Sequence, residues 1–209
     1  MTSTLEQKLR AALAGTTETA PRPISPIELP FKLGKLLTPR ILKTLRPASV
    51  LVPVIRRGAE LNVLLTRRSE EMRSHKGQIS FPGGRREDSD GSATAAALRE
   101  AEEEIGLPPV AVEVVGYLDD YPTITGYRVT PVVGVVASMI EARPCAREVA
   151  EVFELPLTFL LDLNNFERKV FSSKGMKLPF FELNHGRYRI WGATAGMLLN
   201  LAQKVATRK

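Results

Sequence analysis

The 209-residue chain has a single cysteine, Cys145, and neither of its two histidines lies near it in the sequence. One cysteine excludes an internal disulfide framework and is typical of a reducing compartment. Without a neighbouring base, this thiol is expected to be buried or idle rather than nucleophilic.

Long hydrophobic runs are also absent from the sequence. No stretch approaches the ~18 consecutive apolar residues that a membrane span requires. The N-terminal residues Met1 to Glu6 lack the apolar segment of a secretory signal, and Ala206 to Lys209 match no targeting signal. We therefore expect a cytoplasmic protein without a membrane partner.

The chain does have an ordinary globular composition and an excess of positive charge. Apolar residues make up 44% and charged residues 25% of the sequence, which suits one sizeable core. The formal net charge of +6 favours an anionic ligand: nucleic acid, a membrane surface or a phosphorylated metabolite. Because no tract interleaves basic with aromatic residues, we do not expect nucleic acid.

The order of the predicted elements divides the chain into an N-terminal extension and one domain. Residues 1–47 are predicted to form a short helix, a proline-rich linker and a basic segment. The basic segment, 31–46, carries five basic residues and no acidic one. It suits a flap over an anionic substrate, a membrane-surface segment or a solvated helix.

Residues 48–209 alternate between strand and helix patterns. They predict an α+β fold, a three-layer α/β/α sandwich with a mixed β-sheet. The last predicted element is a closing helix over Tyr188 to Val205, with four inward side chains: Trp191, Met197, Leu198 and Leu201.

A pair of glycines precedes the most informative helix of the chain. Gly83 and Gly84 suit a tight loop that needs a positive φ or a close backbone approach. The pattern that follows predicts a helix from about Ser92 to Ile105, with Ser92 as its N-cap and Gly106 as its stop.

One face of this helix is acidic. At about 100° per residue, Glu100, Glu103 and Glu104 fall opposite an apolar stripe that contains Ala101 and Ile105. Three carboxylates within one turn repel one another unless a cation lies against them. A hard divalent ion such as Mg²⁺ prefers carboxylate oxygens. A plain solvated surface is the alternative.

The same stretch resembles the Nudix box, G-x5-E-x7-R-E-U-x-E-E-x-G-U, in which U is a bulky apolar residue. Arg99 to Leu107 match its second half, with the small Ala101 at a U position. The first half departs from the pattern. Six places after Gly84 stands Asp90 instead of glutamate, and eight residues rather than seven separate it from Arg99.

Residues 64–84 resemble a second pattern, L-L-T-x-R-[SA]-x3-R-x3-G-x3-F-P-G-G, of the coenzyme A pyrophosphatase branch of Nudix hydrolases. The resemblance covers about residues 48–202. It implies metal-dependent hydrolysis of coenzyme A or an acyl-coenzyme A to 3′,5′-ADP and 4′-phosphopantetheine. A broader nucleoside diphosphate-X or triphosphate hydrolase and a non-catalytic nucleotide-binding module are the alternatives.

The resemblance also implies roles for the acidic helix. Glu100 and Glu104 are implied ligands of Mg²⁺ or Mn²⁺. Glu103 is implied as a further ligand or as the group that takes the proton. Arg99 is expected to orient these carboxylates.

The general base and the substrate contacts remain open at this point. Some Nudix enzymes recruit a glutamate from a later loop, and here Glu148 and Glu151 are candidates, with surface ion pairs as the alternative. The predicted substrate-binding residues are Arg68, Arg73, Lys76, Gly83 and Gly84; for the basic ones, pairing with Glu70 and Glu71 is the alternative. The expected partner is coenzyme A or a related nucleotide diphosphate, and a homodimer is left open.

Overall fold

The computed structural model describes residues 4–25, 42–71, 76–137, 142–173 and 176–207. The helices there are α1 (Thr4–Leu13), α2 (Ala93–Ile105), α3 (Leu157–Leu161) and α4 (Gly192–Thr207). The strands are β1 (Arg46–Arg57), β2 (Glu60–Arg68), β3 (Ile79–Ser80), β4 (Gly83–Arg85), β5 (Val112–Tyr117), β6 (Tyr121–Pro122), β7 (Tyr127–Val136), β8 (Val149–Pro156), β9 (Glu167–Ser173), β10 (Met176–His185) and β11 (Tyr188–Trp191). Within these ranges, no helix is both long and apolar enough to cross a bilayer.

The main sheet has eight strands and is mixed. Its central path is β3-β2-β1-β7-β5, while β4 pairs with β1, β6 with β7 and β8 with β2. The pair of β1 and β7 is parallel and the other pairs are antiparallel. A smaller antiparallel sheet has the order β11-β10-β9.

Strands β1 and β2 pair only near their connecting turn and then separate. The segment from Ile79 to Arg85 fills the gap, because β3 pairs with the end of β2 while β4 pairs with the start of β1. The backbone N–H of Leu51 donates to the carbonyl oxygen of Pro82 at 2.9 Å and closes the junction. This junction places the glycine pair inside the sheet.

Both faces of the main sheet are covered. On one face, α2 packs its small apolar stripe, including Ala97, Ala101 and Ile105, against Leu51 and other strand residues. On the other face lie α4, α1 and the small sheet, with a core that includes Leu9, Val52, Val133, Leu183 and Leu198. The predicted α/β/α sandwich with a mixed β-sheet is confirmed.

Helix α1 is built into the larger core. Leu9 and Leu13 are fully buried in it. The carboxylate of Glu6, 1% exposed, accepts hydrogen bonds from Arg10 and Arg56. Of the basic segment 31–46, residues 31–41 lie outside the described ranges, and Arg46 is the first residue of β1.

The predicted closing helix is wrong at its start. Tyr188–Trp191 form β11, with Ile190 opposite Leu183 of β10, and the helix begins only at Gly192. Trp191 is 39% exposed rather than inward. Aromatic and β-branched residues fit a strand, so tertiary pairing overrode the helical period here. Met197, Leu198 and Leu201 are buried as predicted.

Candidate active site

Helix α2 has the predicted boundaries. The Ser92 side chain accepts a hydrogen bond from the N–H of Ala95, which satisfies one free donor of the first turn. Gly106 adopts a left-handed conformation with φ of 68°, and its N–H donates to the carbonyl of Glu102. Both termini are therefore fixed, and the helix presents its last two turns to the glycine pair.

The glycine pair lies so close to its neighbours that no side chain fits. A Cβ atom on Gly84 would lie 2.5 Å from a carboxylate oxygen of Glu100. Gly83 has φ of +155°, and a Cβ there would collide with the backbone of Ser49 and Val50. Gly84 thus leaves the space that the Glu100 carboxylate occupies.

Glu104 is the most deeply buried carboxylate of the site. It is 3% exposed and accepts a hydrogen bond of 3.3 Å from the N–H of Gly83. The Arg68 guanidinium lies 3.6 Å away, measured from Nη1 to Oε1. Burial raises the pKa of Glu104 to about 7, although Arg68 and the Gly83 N–H oppose the shift. The Nε atom of Arg68 is buried and has no hydrogen-bond partner among the described residues.

Glu100 and Glu148 complete a region of concentrated negative charge. Burial raises the pKa of Glu100, and the charges of Glu103 and Glu148 add to the rise. Glu148 also raises the pKa of Glu104. The carbonyl oxygen of Glu148 accepts a hydrogen bond of 2.8 Å from the N–H of Ser69. This bond fastens the segment before β8 beside the end of β2, so the exposed Glu148 lies near the half-buried Glu100 and the buried Glu104.

Arg99 connects the loop before α2 to the acidic face of the helix. Its Nε and Nη2 atoms donate to the two carboxylate oxygens of Asp90, both at 3.0 Å. Its guanidinium also lies 3.0 Å from Glu100 and 3.0 Å from Glu103. The Arg99 guanidinium lowers the pKa of Asp90. Arg99 therefore sets the positions of three carboxylates at once.

Asp90 is a residue that the predicted site did not include. Its side chain is 5% exposed and also accepts a hydrogen bond of 2.8 Å from the N–H of Glu87. It occupies the position of the first glutamate of the Nudix box, displaced by one residue. Its place in the box is the sequence signal that could have identified Asp90 as a site residue.

The other predicted residues lie at the rim or outside the described ranges. The Glu103 side chain is 59% exposed and Lys76 is exposed. Arg73 falls in a part of the chain that the structure does not describe. Glu151 binds Arg67, Arg187 and the Tyr188 hydroxyl, which lower its pKa. Glu151 thus forms a surface ion pair.

The donor set fits a hard divalent cation that keeps part of its water shell. Among the described residues, no three side chains of His, Cys, Asp or Glu are close enough to form a complete metal cage. Mg²⁺ is usually held by one or two carboxylates together with waters and substrate phosphates. Glu100 and Glu104 supply two such carboxylates, and their raised pKa values show that a positive charge would relieve an unfavourable arrangement.

The chain is similar to known proteins in sequence and in fold. The NUDIX domain family matches residues 45–172. A protein of Escherichia coli (strain K12) named "Uncharacterized Nudix hydrolase NudL" is 43% identical over 177 residues, which span 83% of this chain and 92% of that protein. A protein of the same name from Shigella boydii is 42% identical over the same length.

Two solved structures share the fold. A Nudix hydrolase from M. smegmatis, RenU, aligns with a TM-score of 0.50 and 22% identity over 78% of this chain and 88% of that one. A MutT protein from Methanosarcina mazei Go1 aligns with a TM-score of 0.50 and 18% identity over 78% of this chain and 96% of that one. The chain belongs to the Nudix hydrolases, enzymes that cleave phosphorus-containing anhydrides and generally use divalent metal ions.

Proposed function

We propose that this Nudix hydrolase cleaves the diphosphate of coenzyme A or an acyl-coenzyme A, releasing 3′,5′-ADP and 4′-phosphopantetheine. The observation that carries the proposal is the contact between Arg68 and Glu104, 3.6 Å apart. Arg68 belongs to the pattern that resembles the coenzyme A pyrophosphatase branch, and Glu104 belongs to the Nudix box. The contact brings the motif associated with substrate choice to the carboxylates associated with the metal.

Glu100 and Glu104 would hold Mg²⁺ or Mn²⁺, with Glu103 as a further ligand through water. When bound, the ion neutralises the phosphoryl oxygens and lowers the pKa of a bound water. Arg99 holds the Glu100 and Glu103 side chains in place through its contacts of 3.0 Å. The backbone N–H of Gly83 does the same for Glu104. Preorganised carboxylates reduce the ordering cost when the substrate arrives.

Glu148 is the proposed general base. Its carboxylate is exposed, yet near enough to raise the pKa values of both Glu100 and Glu104. It accepts a proton from the attacking water while the water oxygen bonds to one phosphorus. The bond from that phosphorus to the bridging oxygen then breaks, and its electron pair stays on the departing phosphate. Glu151 is not given this role, because Arg67 and Tyr188 already bind its carboxylate.

Arg68 is the proposed phosphate contact closest to the reacting bond. Its side chain is 20% exposed, and its long contact with Glu104 leaves terminal N–H groups of the guanidinium for phosphoryl oxygens. Lys76 and Arg73 are proposed to reach the 3′-phosphate that distinguishes coenzyme A from simpler nucleotide diphosphates. Gly83 and Gly84 serve the site by leaving room for the backbone of β1 and for the Glu100 carboxylate.

A substrate panel tests the proposal. The full chain is incubated with Mg²⁺ or Mn²⁺ and with coenzyme A, acetyl-coenzyme A, ADP-ribose, a dinucleoside polyphosphate or a nucleoside triphosphate, and the products are identified by mass. We expect turnover of coenzyme A and acetyl-coenzyme A to 3′,5′-ADP and the matching phosphopantetheine. Turnover of the other compounds without coenzyme A would establish the broader hydrolase instead.

The Arg68→Gln variant tests whether Arg68, the residue that contacts Glu104, also binds the substrate. It should raise KM for coenzyme A, because it removes a cationic donor to the phosphates. Arg67→Gln is its matched control, since Arg67 is the adjacent residue and pairs with Glu151 instead of Glu104. If both variants behave alike, Arg68 has no special contact with the substrate. If no compound is hydrolysed but one binds, the chain is a non-catalytic binding module.

A further inference from the structure

Strand β9 forms an open edge of the small sheet. The sheet has the order β11-β10-β9, so β9 pairs only with β10 in the described part of the chain. Residues 167–172 are all exposed. An exposed edge strand presents a row of backbone N–H and C=O groups that pair readily with another strand.

The open strand also exposes apolar side chains on both of its faces. Val170 is 50% and Phe171 57% exposed. Residues directly opposite each other in an antiparallel pair lie on the same face of the sheet. Arg168 lies opposite Phe181, and Phe181 packs on the main core, so this face is the core-side face. Val170 lies on that core-side face by alternation, so its exposure shows that the strand projects beyond the core.

The outer face of the small sheet is aromatic. Phe171 and Lys169 of β9 lie on this face, and Phe180 of β10 lies opposite Lys169. The register of β10 with β11 places Trp191 on the same face. The rings of Phe180 and Trp191 meet edge to face with centroids 5.8 Å apart, and Trp191 is 39% exposed. Exposed apolar patches of this kind are typical of interaction surfaces.

The sequence of β9 is compatible with pairing to itself in a restricted set of registers. Two copies of β9 can pair antiparallel about a two-fold axis. Residues opposite each other must then lie on the same face of the sheet, so one residue lies opposite its own copy and the axis passes midway between the two. An axis at Arg168 or Lys169 would place two positive charges directly opposite each other, which is destabilising. An axis at Val170 places two valines together and uses all seven residues of the strand.

The same register gives the charged residues acceptable partners. Lys169 would lie opposite Phe171 of the second copy, where its ammonium can contact the ring face. Arg168 would lie opposite Ser172 of the second copy. Within each copy, Lys169 already pairs with Glu167 at 2.6 Å, so the outer face brings no unbalanced charge to the interface.

We propose that the chain forms a homodimer in which the β9 strands of two copies pair antiparallel about an axis at Val170. The two small sheets then join into one continuous sheet, and the aromatic outer faces lie side by side. Seven residues a side make a small interface, so we expect a reversible dimer with a dissociation constant on the order of micromolar. The surface is separate from the carboxylates of the proposed active site.

Sedimentation velocity on the full chain across the micromolar range tests the dimer. We expect a concentration-dependent monomer–dimer equilibrium for the natural sequence. Val170→Asp and Val170→Lys each place like charges opposite each other at the axis and should be monomeric. An equimolar mixture of the two variants should dimerise again, because aspartate then faces lysine. Circular dichroism and hydrolase turnover check that each variant is folded.

Val110→Asp is the matched control, because Val110 is 96% exposed and lies away from β9, just before β5. It should dimerise like the natural sequence. Three results would overturn the proposal: a monomer at every concentration, a dimer that persists in both Val170 variants, or equal loss of the dimer in the Val110 control. A mixture that stays monomeric would overturn the axis at Val170.

Discussion

Asp90 and Arg99 are joined by two hydrogen bonds of 3.0 Å that tie the loop before α2 to the acidic face of the helix. Eight residues separate the two in the sequence, one more than in the usual Nudix box. The loop accommodates the extra residue, and there Asp90 also accepts a hydrogen bond from the N–H of Glu87. The displaced aspartate thus positions the arginine that holds Glu100 and Glu103.

The Asp90→Asn variant should separate this positioning role from general stability. It removes the charge-assisted pair, so we expect a loss of about 1–3 kcal/mol in the free energy of unfolding. Turnover should fall about 10- to 100-fold while KM changes little, because Arg99 no longer orients the carboxylates. Steady-state kinetics and urea unfolding measure the two effects. Asp88→Asn, at an exposed site in the same loop, should change neither.

Gly84 should not tolerate even a methyl group. The new Cβ would lie 2.5 Å from the Glu100 carboxylate and displace it. Because a shift of about 1 Å at a reacting centre can cost about 100-fold in rate, we expect a loss of that order in kcat for Gly84→Ala. Gly91→Ala is the control, since a Cβ there meets nothing within 4 Å. Equal activity of the two variants would show that Glu100 does not depend on Gly84.

Glu104→Gln should remove metal-dependent turnover without unfolding the protein. The side chain keeps its shape and can still accept the Gly83 N–H, but it loses the charge that attracts a divalent ion. We expect kcat to fall more than about 100-fold and Mn²⁺ affinity, measured by calorimetry, to fall with it. Glu102→Gln, on the exposed side of the same helix, should leave both unchanged. Unaltered Mn²⁺ binding in Glu104→Gln would remove Glu104 from the proposed metal site.

Stability at low pH should depend on Glu6. Hydrogen bonding to Arg56 lowers its pKa below the ordinary value of 4.5, even though burial opposes the shift. A carboxyl whose pKa is lowered by folding stabilises the protein above the pKa of the unfolded chain, and this stabilisation is lost as the pH falls through the folded pKa. The contribution of Glu6 is therefore complete at neutral pH and declines below about pH 4.5.

The Glu6→Gln variant tests the direction of this pH dependence of stability. Unfolding by urea should show the natural protein to be more stable than Glu6→Gln at pH 7, by about 1–3 kcal/mol. The difference should shrink as the pH is lowered towards 3. Glu60→Gln, at an exposed position, serves as the control. A difference that stays constant down to pH 3 would mean that the charge of Glu6 is not what stabilises α1 on the sheet.

Local signals were sufficient to predict α2 and its neighbours. Ser92 and Gly106 are capping residues whose side-chain and backbone preferences act within one turn, so the helix boundaries followed from the sequence. Gly83 and Gly84 were predicted to need a positive φ or a close approach, and Gly83 has the positive φ while Gly84 lies against Glu100. The apolar stripe with Ala101 and Ile105, both fully buried, followed from helical periodicity alone.

Features that depend on contacts between elements escaped prediction. Trp191 fits both a helical and a strand pattern, and its place in β11 is decided by pairing with β10. The burial of Glu6 depends on Arg56, fifty residues away, and on Glu113 through Arg10. The contact of Asp90 with Arg99 required the conformation of the connecting loop. Of these three, only Glu6 has a deciding partner outside the local window of the pattern.

A competition between coenzyme A and ADP-ribose, present at equal concentrations with Mg²⁺ in one reaction, tests the central claim most directly. The products are followed by mass, so that the ratio of the two rates gives the ratio of kcat/KM values. We predict that 3′,5′-ADP and 4′-phosphopantetheine accumulate first, and that Lys76→Gln, at a residue proposed to reach the 3′-phosphate, narrows the preference. Equal consumption of both compounds, or a preference for ADP-ribose, would contradict the proposed coenzyme A pyrophosphatase.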